Sequence, residues 1–431
     1  MAKAPAGHET GKTMSTQSVT ISSLGAEGDG IAHGPDGPLY VPFSLPGETL
    51  AVARVGNQGT IMSITQAAPE RVEPKCRHFG PDGVGGTCGG CSLQHMEKSA
   101  YNAFKRGLVE AALKARGIDA PVSPLVEASQ GQRRRLVYTV RNREKGLIFG
   151  FNQPGTHQVV PIEECPITSP AVMARFAALR AICASMAAGS DAFRMTVIET
   201  TTGLDVSLDG VRGGLKERER RALSDTVLKL KGIARLSVNG EIVIEPQKPL
   251  LDFGGALVCP PPGAFTQATL PAEEAMAALV MAELGKAKKV ADLFAGIGTF
   301  ALRIARKAQV LAVESDEKAV KALDAAARAT QGLKPVKAER RDLFRRPLMP
   351  FELKGLDAVV FDPPRAGAEA QSAELTKSDV RTLVAVSCNP LTLARDLAIL
   401  TAGGYRIRSI TPIDQFLWSA HVEVVAVLTK G

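Results

Sequence analysis

Two residues in the last part of the chain have the types and settings needed for chemistry. Cys388 closes the run Val384-Ala-Val-Ser-Cys-Asn-Pro390, where an apolar segment opens into a turn, and Glu423 stands in His421-Val-Glu423. A thiol at the mouth of a strand is placed as a nucleophile, whereas a packing cysteine sits more often within the strand. A nearby carboxylate becomes a usable base when partial burial lifts its pKa toward neutrality. Beside a methyl donor, one reaction that would use both groups is methylation of a pyrimidine carbon. Carbon 5 of a uracil ring is too weak a nucleophile to take a methyl group unaided. Thiolate addition at carbon 6 makes an enolate and lets carbon 5 attack a methyl donor. A base then removes the carbon-5 proton so that the thiol can leave.

The donor is suggested by Asp292-Leu-Phe-Ala-Gly-Ile-Gly-Thr-Phe300, whose two glycines let a backbone approach a ligand where a strand turns into a helix. About twenty residues on, VLAVES puts Glu314 at the end of the next strand, where an acid accepts bonds from ribose hydroxyls. The turn has neither GxGxxG nor a Walker lysine, which argues against a dinucleotide or a nucleoside triphosphate. S-adenosylmethionine, whose sulfonium end needs no phosphate cradle, fits. Asp362-Pro-Pro-Arg365 ends a further strand and points Asp362 into the same crevice. Such motifs also resemble those of methyltransferases acting on exocyclic amines, a route that makes Cys388 dispensable. A third reading is an RNA-binding protein on a catalytically dead fold of this kind, against which Cys388 and Glu423 both stand intact.

These residues require a frame. In the last third, the β-runs KKVADLFAG, AQVLAVES, KPVKAE, GLDAVVFDPP, RTLVAVSC and YRIRSITP alternate with helical stretches. Their apolar strands predict a parallel sheet covered on both faces. HVEVVAVLT follows too closely for a helical crossover, so the last strand is expected to be antiparallel. Residues 17–70 read as a small OB-like β-barrel and 71–265 as a central α+β domain. Residues 266–431 read as a Rossmann-like α/β catalytic domain, and 1–16 as a flexible tail. Helices are expected from Glu97 to about Arg116, ending at Gly117, and around 170–187 and 213–230.

The 431 residues carry a net charge of +8, which suits a polyanionic partner. No segment is apolar enough to span a bilayer, and no export signal is visible, so a reducing cytoplasm without disulfides is expected. The thiols Cys76, Cys88 and Cys91 therefore suggest a metal site, zinc included. Cys183 and Cys259 read as packing residues. Arg133, Arg134 and Arg135 read either as phosphate contacts or as a solvated strand edge, and Tyr40 and Phe43 as core fillers of the barrel.

In their order, DLFAGIGTF, VES, DPPRAG, SCNPLTLARDL and DQFLWSAHVE resemble the RNA (uracil-5-)-methyltransferases, and the Cys-rich segment and barrel resemble the 23S rRNA branch. The resemblance implies Cys388 as nucleophile and Glu423 as base. It puts Gln267, in PGAFTQAT, with Phe294, Thr299, Glu314, Asp342 and Asp362 around S-adenosylmethionine. It makes residues 17–66 a TRAM domain. It also implies a [4Fe-4S] cluster on Cys76, Cys88, Cys91 and Cys165, although the Cys76–Cys88 gap is longer than usual. Thr299 and Thr269 stand where asparagine is common, and Leu417-Trp418 replaces a Pro-bearing turn. The implied partner is structured RNA, 23S rRNA ahead of tRNA, with the target uridine flipped out. Neither a membrane nor an obligate protein partner is implied.

Overall fold

The computed structural model describes residues 15–143, 146–186 and 192–431, so the expected tail lies almost wholly outside the described residues. The chain divides into two units, one reaching Tyr101 and including Trp418–Ala420, the other formed by Asn102–Leu417 and His421–Gly431.

The first unit holds a six-stranded sheet built from Ser15–Thr20, Ser23–Leu24, Gly30–Gly34, Gly37–Val41, Thr49–Val55 and Gln58–Gln66. Alternate residues turn inward to a core of Ile21, Leu39, Val41, Leu50 and Val52. Gly30 must be glycine, because a Cβ there would lie 2.0 Å from the Ser44 hydroxyl. Phe43 departs from the expected core-filling role. It sits at φ 64°, and its ring meets Phe79 of the Cys-rich loop edge-on at 5.1 Å. Trp418, also left-handed at φ 59°, accepts from the Ser92 and Leu93 amides and donates its own N–H to the Tyr101 hydroxyl.

The second unit contains two seven-stranded sheets. One is mixed and runs from Arg135–Arg143 to Glu241–Ile244, sharing a core with the helices Phe176–Met186 and Glu217–Lys229. The other comprises β1 (Lys289–Leu293), β2 (Gln309–Glu314), β3 (Val336–Arg340), β4 (Ala358–Phe361), β5 (Thr382–Ser387), β6 (Arg406–Ile413) and β7 (Glu423–Thr429). Its order is β3-β2-β1-β4-β5-β7-β6. Strands β1 to β5 pair in parallel, and β7 runs antiparallel between β5 and β6. The chain winds outward in opposite directions from β1 and β4, which opens a crevice at their carboxyl ends. Apolar residues of this sheet join two cores, as expected for strands covered on both faces.

The 71–265 segment does not pack as one body. Val109, Ala112 and Leu113 of helix Lys98–Lys114, with Val122, share a core with Leu293, Phe361 and Ile410 of the last sheet. Val122 and Val126 also bridge to Ile410 and Ile413 of β6. The physical reason is that β6 is an edge strand whose outer backbone groups need partners. Among the described residues, no helix is long and apolar enough to cross a membrane.

Candidate active site

The turn after β1 carries three consecutive alternations of unusual backbone. Phe294, Gly296 and Gly298 have φ of 59°, 55° and 100°. A left-handed phenylalanine is costly and persists only where the surroundings over-determine it. Gly298 is forced, since a Cβ would lie 3.0 Å from Leu323 Cγ, whereas one at Gly296 would meet open space. Glu314, at the end of β2, is pinned beside this turn. Its Oε2 accepts from Gly296 N–H at 2.9 Å, and its Oε1 accepts from the Ser315 and Asp316 amides. The Phe294 ring faces Phe344, 5.5 Å away, just past Asp342, whose Oδ1 accepts the Phe344 amide. An open glycine with an oriented acid suits a nucleoside-bearing ligand.

Between β4 and β7 lies a buried polar chain. Asp362 Oδ2 accepts from Gln267 Nε2 at 3.1 Å, and Gln267 Oε1 accepts from Gln415 Nε2 at 2.9 Å. Gln415 Nε2 also donates to Glu423 Oε1 at 3.0 Å, and Gln415 Oε1 accepts from the Ala268 amide at 2.8 Å. Burial pushes the Asp362 carboxyl up to about 7, with Gln267 opposing it. Burial and the neighbouring Asp362 push Glu423 up to about 8, with Gln415 and Lys105 opposing. Burial thus lifts both carboxyls toward neutrality, the direction that acid–base chemistry favours. Beneath them, Lys105 Nζ pairs with Asp414 Oδ1 at 2.5 Å and donates to Phe416 O at 3.0 Å, fully enclosed.

Cys388 is half-buried at the end of β5, just before Asn389, which caps helix Pro390–Ala402 by accepting the Leu391 amide. Asn389 also donates to the Arg365 carbonyl at 3.1 Å, so the cysteine turn is tied to the Asp-Pro-Pro-Arg turn. In the β5–β7 ladder Ser387 faces Val424, and one further step of that register puts Cys388 across from Glu423. Burial, then the charges of Glu423 and Asp362, push the thiol up to about 11, while Arg365 pulls it down. A helix N-terminus and any bound cation act toward the thiolate.

The structure thus joins Gln267 directly to Asp362 and, through Gln415, to Glu423, and the charges of Glu423 and Asp362 act on Cys388. Glu314 and Phe294 form the glycine-turn group, with Thr299 in the same turn and Asp342 two residues past β3. The four-cysteine site finds no such support. Among the described residues, no group of three or more His, Cys, Asp or Glu side chains gathers as a metal would require. The Cys76–Cys88 insert closes on itself instead, through Val84 N–H to Arg77 O and Cys88 N–H to His78 O. Arg134 is not a phosphate contact: it is buried against Glu273 at 2.5 Å and donates to the Gln267 carbonyl. Arg133 and Arg135 lie over the Phe416 and Phe265 rings. Cys183 is a core residue as expected, whereas Cys259 touches the buried Arg235 guanidinium at 3.9 Å. Sequence reasoning missed Gln415 and Lys105. Gln415 lies within the quoted run before His421, but Lys105 has no local signal.

The tRNA (uracil-5-)-methyltransferase family profile matches residues 261–431. An uncharacterized RNA methyltransferase of Agrobacterium fabrum is 63% identical over 97% of this chain and 100% of its own length. The 23S rRNA (uracil(1939)-C(5))-methyltransferase RlmD of Chromohalobacter salexigens is 32% identical over 96% of this chain and 89% of its own. Among solved structures, the tRNA (uracil-54, C5)-methyltransferase of Pyrococcus abyssi, in complex with S-adenosyl-L-homocysteine, superposes with a TM-score of 0.75. It is 25% identical and covers 96% of this chain and 99% of its own.

Proposed function

The chain belongs to the RNA (uracil-5-)-methyltransferase family, and we propose that it methylates carbon 5 of a uridine in structured RNA, with 23S rRNA as substrate. The observation that supports this reading is that the β5–β7 ladder, paired as far as Ser387 and Val424, ends beside both Cys388 and Glu423, whose charge is felt at the thiol. Bound against the glycine turn, S-adenosylmethionine supplies an electrophilic methyl group and a sulfonium charge. Gln267, Phe294, Thr299, Glu314, Asp342 and Asp362 hold it.

The Cys388 thiol loses its proton to solvent, its sulfur forms a bond to carbon 6 of the flipped uracil, and the ring π electrons move to the carbon-4 oxygen as an enolate. Carbon 5 takes the methyl group as the bond from the methyl carbon to the donor sulfur breaks, its electron pair staying on sulfur as the neutral thioether. Glu423 then removes the carbon-5 proton, the freed electron pair restores the ring double bond, and the carbon–sulfur bond breaks with its electrons on sulfur. Burial raises Glu423 into the range of a working base.

The +8 charge supports an RNA partner, and we read the N-terminal six-stranded sheet as the TRAM-like module that follows RNA phosphates. The likeness to the Pyrococcus abyssi enzyme favours tRNA as the second reading. Incubating the protein with labelled S-adenosylmethionine and unmodified 23S rRNA or tRNA, then digesting to nucleosides, tests the proposal. Label in 5-methyluridine from 23S rRNA is expected. Label from tRNA alone supports the second reading, and label on an exocyclic amine, or none, overturns both.

A further inference from the structure

Gln415 is the residue whose contacts the chemistry so far leaves unused. It is almost fully buried, and all its polar atoms are engaged. Its orientation is not free, because Oε1 accepts from the Ala268 amide, and a backbone N–H can only donate. Nε2 must therefore face Gln267 Oε1 and Glu423 Oε1, donating one hydrogen to each. The same logic propagates: Gln267 Oε1 is taken, so its own amide nitrogen faces Asp362 Oδ2. One backbone amide thus sets the direction of the whole chain.

From this geometry we infer that Gln415 is the positioning residue of the elimination step, fixing Glu423 Oε1 as an acceptor so that the carbon-5 proton is delivered to Glu423 Oε2. The inference rests on the carbon-5 reading above. When Glu423 takes the proton, the carbon–hydrogen electron pair becomes the ring double bond and the carbon–sulfur pair leaves on Cys388. Glu423 then carries hydrogen on Oε2, while Oε1 keeps its bond from Gln415 without rearrangement. An amide donor also favours the ionised carboxylate, the form that accepts the proton. Addition at carbon 6 and methyl transfer make no use of that bond. Loss of Gln415 also frees Gln267 and so weakens cofactor binding, but at saturating S-adenosylmethionine the step that slows is the one after the methyl group has moved.

The test is single-turnover kinetics of the full chain with saturating S-adenosylmethionine and natural, unfluorinated 23S rRNA. It compares wild type, Gln415→Leu, the shorter amide Gln415→Asn and Glu423→Gln. Methyl transfer in Gln415→Leu should proceed, while release of methylated RNA slows about ten- to a hundredfold, the range of a hydrogen bond to a charged group. A denaturation-stable protein–RNA adduct carrying the methyl label should accumulate. A merely structural defect lowers the adduct instead of raising it. Thermal melting and cofactor binding identify a Gln415→Leu protein that is misfolded, and Gln415→Asn then gives the answer. Adduct and release rates like wild type in the folded variants overturn the role of Gln415. Absence of 5-methyluridine from the wild-type reaction overturns the parent reading instead.

Discussion

At the residue scale, the site is an arrangement of groups held away from their usual ionisation. Glu423 in the folded protein titrates near 8, well above the roughly 4.3 of an exposed glutamate. A raised acid contributes stability that is complete below its unfolded pKa and lost as pH rises through the folded value. Glu423→Gln removes that loss. The variant should melt higher than wild type at about pH 8.5, and the gap should shrink toward about pH 5. Thermal unfolding at the two pH values checks this, and an equal gap at both contradicts it. Lys105→Met strands the Asp414 charge in the interior and should cost about 3–5 kcal/mol, of which Lys105→Met with Asp414→Leu recovers most. Denaturant unfolding measures both. The sequence makes Cys388 and Glu423 legible because a mechanism demands the pair. Lys105 was illegible because its partner is 309 residues away, and burial of a lysine is decided by packing that no local pattern records.

At the element scale, strand type and alternation were readable from apolar β-runs, and so was the antiparallel last strand. The insertion of β7 between β5 and β6 was not, since a short connection permits either side of β6. That insertion is what brings Glu423 to Cys388. The glycine turn divides into two requirements. Gly298→Ala has no room and a forbidden φ, so it should lower the melting temperature and abolish cofactor binding together. Gly296→Ala has space in the ligand-free turn but puts a methyl group into the ligand's approach. Its φ of 55° still strains an alanine, so it should weaken S-adenosylmethionine binding about tenfold or more while lowering the melting temperature less than Gly298→Ala does. Calorimetric titration beside thermal melting separates the two. The Cys-rich loop shows the opposite limit of pattern reading, because thiol spacing alone did not reveal the hydrogen bonds of its inserted turns.

At the scale of the whole molecule, the catalytic sheet depends on chain far upstream of it. Val109, Ala112, Leu113 and Val122 cover one of its faces, and Val122 and Val126 satisfy the edge of β6. A fragment of residues 266–431 should therefore expose apolar surface and aggregate, by size-exclusion chromatography, while the full chain stays soluble. Charge and composition pointed to RNA but could not mark which residues meet it, because Arg134 belongs to a buried ion pair. The proposed mechanism comes down to one transient bond at Cys388. The most direct measurement is the intact mass of the protein after incubation with S-adenosylmethionine and RNA bearing 5-fluorouridine at the target. Fluorine on carbon 5 cannot leave as a proton, so a methylated nucleotide adduct mapped to Cys388 is predicted. Methylated RNA released in full turnover by Cys388→Ala would contradict the account.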